Sequence, residues 1–90
     1  MPETIEDTLK DRGTKYGDFT DHARISQDLK QVMMATPGWK RLSPDKREAL
    51  EMVQHKIARI LNGNPEYLDS WTDLQGYSKL AADRVKLPNV

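Results

Sequence analysis

Several features are missing from this sequence, and each absence excludes a class of protein. There is no cysteine, which excludes a disulfide framework and a thiolate metal site. The 14 basic and 14 acidic residues cancel and no basic run occurs, so binding to a nucleic-acid backbone is not indicated. There is also no run of about 18 apolar residues and no apolar signal segment. We therefore expect a cytoplasmic protein that neither spans a membrane nor binds nucleic acid directly.

The length and composition indicate one small domain. The chain has 90 residues, of which 31% are charged and 37% hydrophobic, a composition that suits helices with a narrow apolar stripe. Burial is marginal at this length, and a homodimer would be a natural way to add buried area.

Helix start and stop signals predict an all-α domain that spans residues 1–90. Capping residues mark four predicted helix starts: Thr4, Asp18, Ser43 and Asn64. Gly13 and Gly63 are predicted stops. Together with apolar residues at helical spacing, these signals predict a small four-helix bundle with a short first helix and approximate helices over residues 5–12, 18–35, 44–62 and 65–86. The short connection at residues 63–65 makes the last two helices an antiparallel hairpin.

One apolar stripe on each helix of this hairpin is the predicted core. We expect six residues of these stripes to be buried together: Leu50, Val53, Ile57, Leu74, Tyr77 and Ala81.

Acidic residues recur at helical spacing on the same two helices: Glu48, Glu51, Asp69 and Asp73. Carboxylates four residues apart on a helix repel one another, and a bound cation would remove that cost. Mg²⁺ prefers oxygen ligands and is commonly held by one or two carboxylates together with substrate phosphate. The pattern is compatible with a magnesium site at which Lys56 or Arg59 contacts phosphate oxygens. Trp71 and Tyr16 are the candidates for stacking on a nucleobase.

Structural roles explain the same acidic residues without a metal. Asp69 lies near a predicted helix N-terminus, where its charge interacts favourably with the helix dipole. Asp73 is within reach of Lys79, and a salt-bridge cluster that joins Lys56 or Arg59 to the acidic residues is a further alternative.

Five segments together resemble a family of small phage and prophage proteins whose function is unassigned. They are R-G-x-x-Y-G-D-F at 12–19, P-G-W at 37–39, R-E-A-L-E-M at 47–52, H-K-I-A-R-I-L-N-G at 55–63 and D-S-W-x-D-x-x-G-Y at 69–77. The resemblance covers nearly the whole chain and implies a protein of the bacterial host cell. It also implies that the turn at residues 16–18 packs back on the hairpin, with Gly17 in a special backbone conformation and Tyr16 near Lys56 or Asp73.

Two more distant resemblances point to nucleotides. The Y-G-D, K-x-x-R-I and D-x-W-x-D segments are similar to a predicted nucleotide-modification-associated domain of phages, and the last two helices resemble the all-α nucleoside triphosphate pyrophosphatases of the MazG and dUTPase type. Those enzymes hold Mg²⁺ through an E-E-x-x-E helix and an E-x-x-D helix. Glu48, Glu51 and Asp73 match parts of these patterns. Arg47 replaces the first glutamate, and Ser70 stands three residues before Asp73.

The combined interpretation is a nucleotide-binding protein, with Mg²⁺-dependent hydrolysis of a deoxynucleotide pyrophosphate bond as the reaction to test. Its expected magnesium ligands are Glu48, Glu51, Asp69 and Asp73, and its expected phosphate or nucleotide contacts are Lys56, Arg59 and Tyr16. On this interpretation Mg²⁺ stabilises the fold through Asp73. The alternative is a non-enzymatic helical interaction module that contacts another protein through Trp39, Met33 and Met34.

Overall fold

A computed structural model describes residues 4–86, and within that range it contains five helices and no strand. The helices are α1 (Ile5–Tyr16), α2 (Phe19–Met34), α3 (Pro37–Lys40), α4 (Pro44–Asn62) and α5 (Leu68–Ala82). The predicted all-α fold is confirmed, with a short fifth helix added by α3.

The helix bounds follow the capping signals closely where those signals are local. α4 covers the predicted residues 44–62, and α2 begins where the Asp18 carboxylate accepts a hydrogen bond from the amide of Asp21 at 3.2 Å. The predicted start of α5 is three residues early, because the Asn64 side chain accepts from the amide of Glu66 at 2.9 Å and forms a turn instead of a cap.

α1 runs four residues beyond its predicted end. It continues through Gly13 and ends at Gly17, whose φ of 79° is a conformation that glycine adopts without strain. The amide of Gly17 donates to the carbonyl of Gly13 at 2.9 Å and closes the last turn. The predicted special role of Gly17 is confirmed.

α4 is the central element of an open layer, with α2 on one side and α5 on the other. Contacts along α2 and along α5 both advance as the numbering of α4 decreases, so each neighbour is antiparallel to α4. The described chain measures 57 × 28 × 22 Å and has a radius of gyration of 15.9 Å, against about 12 Å for a compact chain of this length. The described chain is therefore elongated.

The predicted core is only partly correct. Leu50 and Ile57 are 43% and 36% exposed, so their predicted burial is wrong, whereas Val53, Leu74, Tyr77 and Ala81 are half-buried. Because α4 lies between two helices, it has two contact faces, and the stripe of Leu50 and Ile57 lies between them. Small and polar residues occupy the contact faces instead, and the buried set is His22, Ser26, Ala49, Gln54, Lys56, Ala58 and Ser70.

The turn between α1 and α2 packs on the C-terminal end of α4, as predicted. The Asn62 side-chain amide donates to the carbonyls of Tyr16 at 2.9 Å and Asp18 at 2.8 Å. Backbone approaches backbone here so closely that a Cβ on Gly17 would collide with Asn62, and a Cβ on Gly63 would collide with Lys15 and Tyr16. Two glycines thus permit the contact. The Asn62 side chain holds it, together with the backbone amide of Asn64, which donates to the carbonyl of Lys15 at 2.8 Å.

This contact generates a prediction about three glycines. Gly17→Ala and Gly63→Ala should each lower the free energy of unfolding by roughly 1–3 kcal/mol, because the added methyl group overpacks the junction. Gly13→Ala is the matched control, since nothing lies within 4 Å of the position that its new methyl group would occupy and a helical alanine should stabilise by about 0.5–1 kcal/mol. Urea denaturation of the three variants measures the difference. Equal effects at all three positions would contradict the close approach.

Candidate functional site

A cavity of about 490 Å³ lies between α1, the start of α2 and the second half of α4. The segment 12–19, which carries the R-G-x-x-Y-G-D-F pattern, supplies most of its wall, and Leu9 extends that wall along α1. The remaining lining residues are His22 from α2 and His55 and Arg59 from α4. The docking of the α1–α2 turn on α4 is what brings these three elements around one space.

Two arginines give the cavity its positive charge. Within residues 4–86, neither Arg12 nor Arg59 has a carboxylate within 4.0 Å, although both line the cavity. The guanidinium carbon of Arg59 lies 4.2 Å from the centre of the Tyr16 ring, a cation–π contact that orients the arginine. Asp18 contributes the one carboxylate among the lining residues, and it is engaged as the cap of α2.

The two histidines of the chain meet at the base of this cavity. The rings of His22 and His55 are 4.8 Å apart and nearly perpendicular. Burial and the nearby Arg59 charge lower the pKa of both, and for His55, which also faces His22, Lys56 and Lys30, the pKa falls to about 4. Both imidazoles are therefore neutral at pH 7. Among the described residues, Nδ1 of His22 is buried without a hydrogen-bond partner.

Aromatic rings line the other side of the cavity. Tyr16 packs edge-on against Tyr67 at 5.8 Å between ring centres, so Tyr16 is held between Tyr67 and Arg59. Phe19 is 79% exposed at the start of α2, and its ring centre lies 6.3 Å from that of His22. The cavity thus combines cationic, neutral polar and aromatic surfaces.

The structure separates the predicted phosphate contacts. Tyr16 and Arg59, two of the three predicted phosphate or nucleotide contacts, lie together in the cavity. Lys56 does not join them, because its side chain faces α5 and its Nζ pairs with the Asp73 carboxylate at 2.7 Å. Tyr16 was expected beside Lys56 or Asp73. It lies against Arg59 and Tyr67 instead.

Four cavity-lining residues that could contact a ligand through charged, imidazole or aromatic groups were not among the predicted site residues: Arg12, Phe19, His22 and His55. The two histidines are far apart along the chain, and only the antiparallel packing of α2 on α4 brings them together. The sequence signal that pointed to part of this site was the R-G-x-x-Y-G-D-F segment at 12–19. It contains Arg12 and Phe19 and ends three residues before His22.

The four predicted magnesium ligands take part in separate contacts. Asp73 pairs with Lys56, Glu51 lies 3.9 Å from Lys30, and Asp69 accepts a hydrogen bond from the Tyr67 hydroxyl at 3.0 Å. Glu48 lines a shallow groove between the start of α4 and the end of α5. Over residues 4–86 there is no group of three or more histidine, aspartate or glutamate side chains placed to hold a metal ion. These four residues therefore do not fit a shared magnesium site within one copy of the chain.

The interaction-module alternative predicts a contact surface of Trp39, Met33 and Met34, and this surface is only partly exposed. Trp39 is half-buried in α3, where its carbonyl accepts a hydrogen bond from Nε of Arg47 at 3.2 Å and its ring lies 6.0 Å from that guanidinium. Met33 is half-buried and Met34 is exposed.

Comparison with known proteins identifies the family of the chain. A family model described as "Domain of unknown function (DUF6378)" matches residues 3–85. The chain belongs to the DUF6378 family. Neither the curated proteins nor the solved structures contain a match to it. None of the helices within residues 4–86 of this DUF6378 domain has the length and apolar character needed to cross a membrane.

The Lys56–Asp73 pair generates the second prediction. Lys56 is 7% exposed, so Asp73→Asn leaves a nearly buried ammonium without its partner and should lower the free energy of unfolding by roughly 1–3 kcal/mol. Asp83→Asn is the matched control. Asp83 directly follows α5, and its carboxylate lies 2.8 Å from Nζ of the exposed Lys79. Its removal should lower the free energy of unfolding by less than about 0.5 kcal/mol.

Chemical denaturation with and without Mg²⁺ measures the contribution of the Lys56–Asp73 pair to stability. It also measures whether Mg²⁺ stabilises the fold, as the magnesium-site interpretation expects. A metal-dependent stabilisation that Asp73→Asn abolishes, with an unperturbed metal-free protein, would contradict the structural role of Asp73.

The histidine pair generates the third prediction, which concerns pH. The folded pKa of His55 is about 4 and its ordinary value is 6.5, so between these limits the unfolded chain binds more protons than the folded one. Stability should therefore be fully present above pH 6.5 and fall as the pH is lowered toward 4, and His22 acts in the same direction. Melting temperatures of the wild type and of His55→Gln between pH 7 and 5 measure this effect above the main range of carboxylate titration. The variant should show the shallower slope, and identical slopes would exclude the histidine contribution.

Proposed function

We propose that the DUF6378 domain binds a nucleotide, or a similar small molecule that carries phosphate, in the cavity between α1, α2 and α4. The observation that carries this proposal is one cavity in which aromatic rings lie beside two arginines that have no carboxylate partner within residues 4–86. A volume of about 490 Å³ is within the range of small-molecule sites in proteins.

The arginines would receive the phosphate. A guanidinium presents a planar set of donors that matches phosphate oxygens, and it keeps its charge at every physiological pH. The whole chain has no net charge, so a local excess of positive charge is a property of this cavity and not of the general composition. With Arg12 on α1 and Arg59 on α4, a phosphate group between them would contact both walls.

The aromatic and imidazole groups would receive the rest of the ligand. The exposed ring of Phe19 offers a flat surface on which a nucleobase stacks, and Tyr16 offers a second ring that is already held in place. Neutral His22 and His55 each supply both a donor and an acceptor for polar groups of the ligand.

The proposal is for binding and does not include hydrolysis. The Mg²⁺-dependent reaction implied by the resemblance to pyrophosphatases would use Glu48, Glu51 and Asp73, which do not line this cavity. Mg²⁺ that arrives already bound to the phosphates of the ligand is compatible with this proposal. The binding experiment below therefore compares each ligand with and without Mg²⁺.

Isothermal titration of nucleoside mono-, di- and triphosphates, the parent nucleosides and inorganic pyrophosphate, each with and without Mg²⁺, tests the proposal. We expect phosphate-bearing ligands to bind and to raise the melting temperature by mass action. Arg59→Ala should weaken binding by about tenfold or more, since it removes a charge-assisted hydrogen bond worth roughly 1.5–3 kcal/mol. Arg24→Ala, on the exposed side of α2, is the matched control and should leave affinity unchanged.

The arms of the experiment separate the parts of the ligand. Pyrophosphate binding without nucleoside binding assigns the affinity to the arginines, and tighter binding of the complete nucleotide assigns a contribution to the rings. Absence of heat with every ligand, from a protein that melts cooperatively, would refute the proposal and place the interaction-module alternative first.

A further inference from the structure

One side of the helical layer carries large apolar residues that nothing within residues 4–86 covers. On α4, Leu50, Ile57 and Leu61 are all exposed. At about 100° per residue, these three positions fall within roughly 40° of arc around the helix axis. They lie between the face of α4 that contacts α2 and the face that contacts α5, so they form a ridge along the middle of the layer.

A residue of α5 extends this ridge. Glu48 and Leu80 line the same groove between α4 and α5. Around α4, Glu48 lies about 180° from Ile57, and around α5, Leu80 lies about 180° from Trp71. Ile57 and Trp71 therefore share the opposite side of the layer, and Trp71 is 47% exposed there.

A residue of α2 extends the ridge in the other direction. Exposed Val32 lies about 140° around α2 from Phe19, which lines the cavity with Arg59. Arg59 in turn lies about 160° around α4 from Ile57. We call the resulting surface the apolar face, and its residues are Val32, Leu50, Ile57, Leu61 and Trp71. It lies on the side of the layer away from the cavity.

A single copy of the chain buries little apolar surface. Ala49 and Ala58 are the buried hydrophobic residues of the described range, and no large side chain in that range is fully buried. Hydrophobic stabilisation grows with buried apolar area, at about 25 cal/mol per Å², and must offset a conformational entropy cost of about 1–2 kcal/mol per residue. Two alanines and several half-buried residues make a weak core. Covering the apolar face would supply the missing burial.

We propose that the apolar face is covered by the same face of a second copy, in a symmetric homodimer. The area fits. α4 has 19 residues and is about 28 Å long, and three adjacent helices spaced by about 9 Å span a similar width. The whole side of the layer that carries the apolar face thus measures about 750 Å² per copy, close to the roughly 800 Å² per partner of a stable protein interface.

The charge distribution favours a second copy over a charged partner. The ridge residues of α4 are uncharged, and so are the adjacent Val53 and Gln54. At the centre of the face, like charges therefore do not meet when identical faces approach. Lys46 lies on the same arc at the N-terminal end of α4, where its Nζ is 3.7 Å from the Asp45 carboxylate. The zero net charge of the chain imposes no long-range repulsion between copies. A surface fitted to an acidic or basic partner would carry charge of the opposite sign near its centre. In a twofold arrangement this face is complementary to itself.

Sedimentation equilibrium of the intact chain tests the proposal. We expect a species of twice 10.3 kDa, about 20.6 kDa, at micromolar concentration. Ile57→Glu should raise the dimer dissociation constant at least 100-fold, because it places a carboxylate on each side of the apolar contact. Leu80→Glu is the matched control. It changes a leucine that is 50% exposed on the opposite side of the layer and should leave the dimer intact.

Single-cysteine variants keep the test valid if Ile57→Glu fails to fold. The chain has no native cysteine, so Ile57→Cys and Leu80→Cys each introduce one thiol. A short bismaleimide should link two copies of Ile57→Cys, near the centre of the face, and should leave Leu80→Cys monomeric on a denaturing gel. A cooperatively folded wild-type chain that is still monomeric at about 100 μM, where a dimer with a dissociation constant of about 1 μM would be mostly formed, would overturn the proposal. Equal linking of both variants would also overturn it. Because the cavity lies on the other side, loss of ligand binding alone does not produce either result.

Discussion

The contact between Asn62 and the α1–α2 turn is the constraint on which the cavity depends. One side-chain amide satisfies two carbonyls of the turn, and the absence of side chains at Gly17 and Gly63 allows the two backbones to touch. The contact fixes the direction in which α1 leaves the layer. Arg12 and Tyr16 reach the side of α4 that carries Arg59 only because of this direction, so a fold determinant and the candidate site share the same few residues.

The central position of α4 explains both the polar interior and the exposed apolar ridge. α4 has neighbours on two opposite sides, and small or hydrogen-bonding residues lie at both contacts, as Ala49 and Ala58 and the Ser26–Gln54 hydrogen bond illustrate. Its large apolar residues are then left on a third side. The same arrangement buries Lys56 against α5, where its pairing with Asp73 gives that carboxylate a structural role.

Local sequence signals such as capping residues predicted the bounds of helices. Which side chains are buried and which meet across helices depends on packing, and these features were predicted less well. Pro44 and Gly63 bracket α4 in the sequence, so its bounds were predicted correctly. Tyr16 and Arg59 were both predicted as phosphate or nucleotide contacts, and the fold brings their side chains together. The His22–His55 pair was not, because it depends on the register of α2 against α4, which no local pattern encodes. The predicted burial of Leu50 and Ile57 failed for a related reason, since helical periodicity marks an apolar stripe but does not say which neighbour covers it.

α1 has a further consequence for how the cavity opens. None of its residues is buried, and a helix of 12 residues is marginally stable in water on its own, so we expect α1 to unfold locally more readily than α2, α4 and α5. Fraying from its N-terminal end would remove Leu9 and then Arg12 from the cavity wall while the Asn62 contact stays closed. A ligand held by both Arg12 and Arg59 would oppose that fraying. Occupancy of the cavity and the helical order of α1 are thus thermodynamically linked, and the free energy of ordering α1 is subtracted from the affinity of whatever binds there.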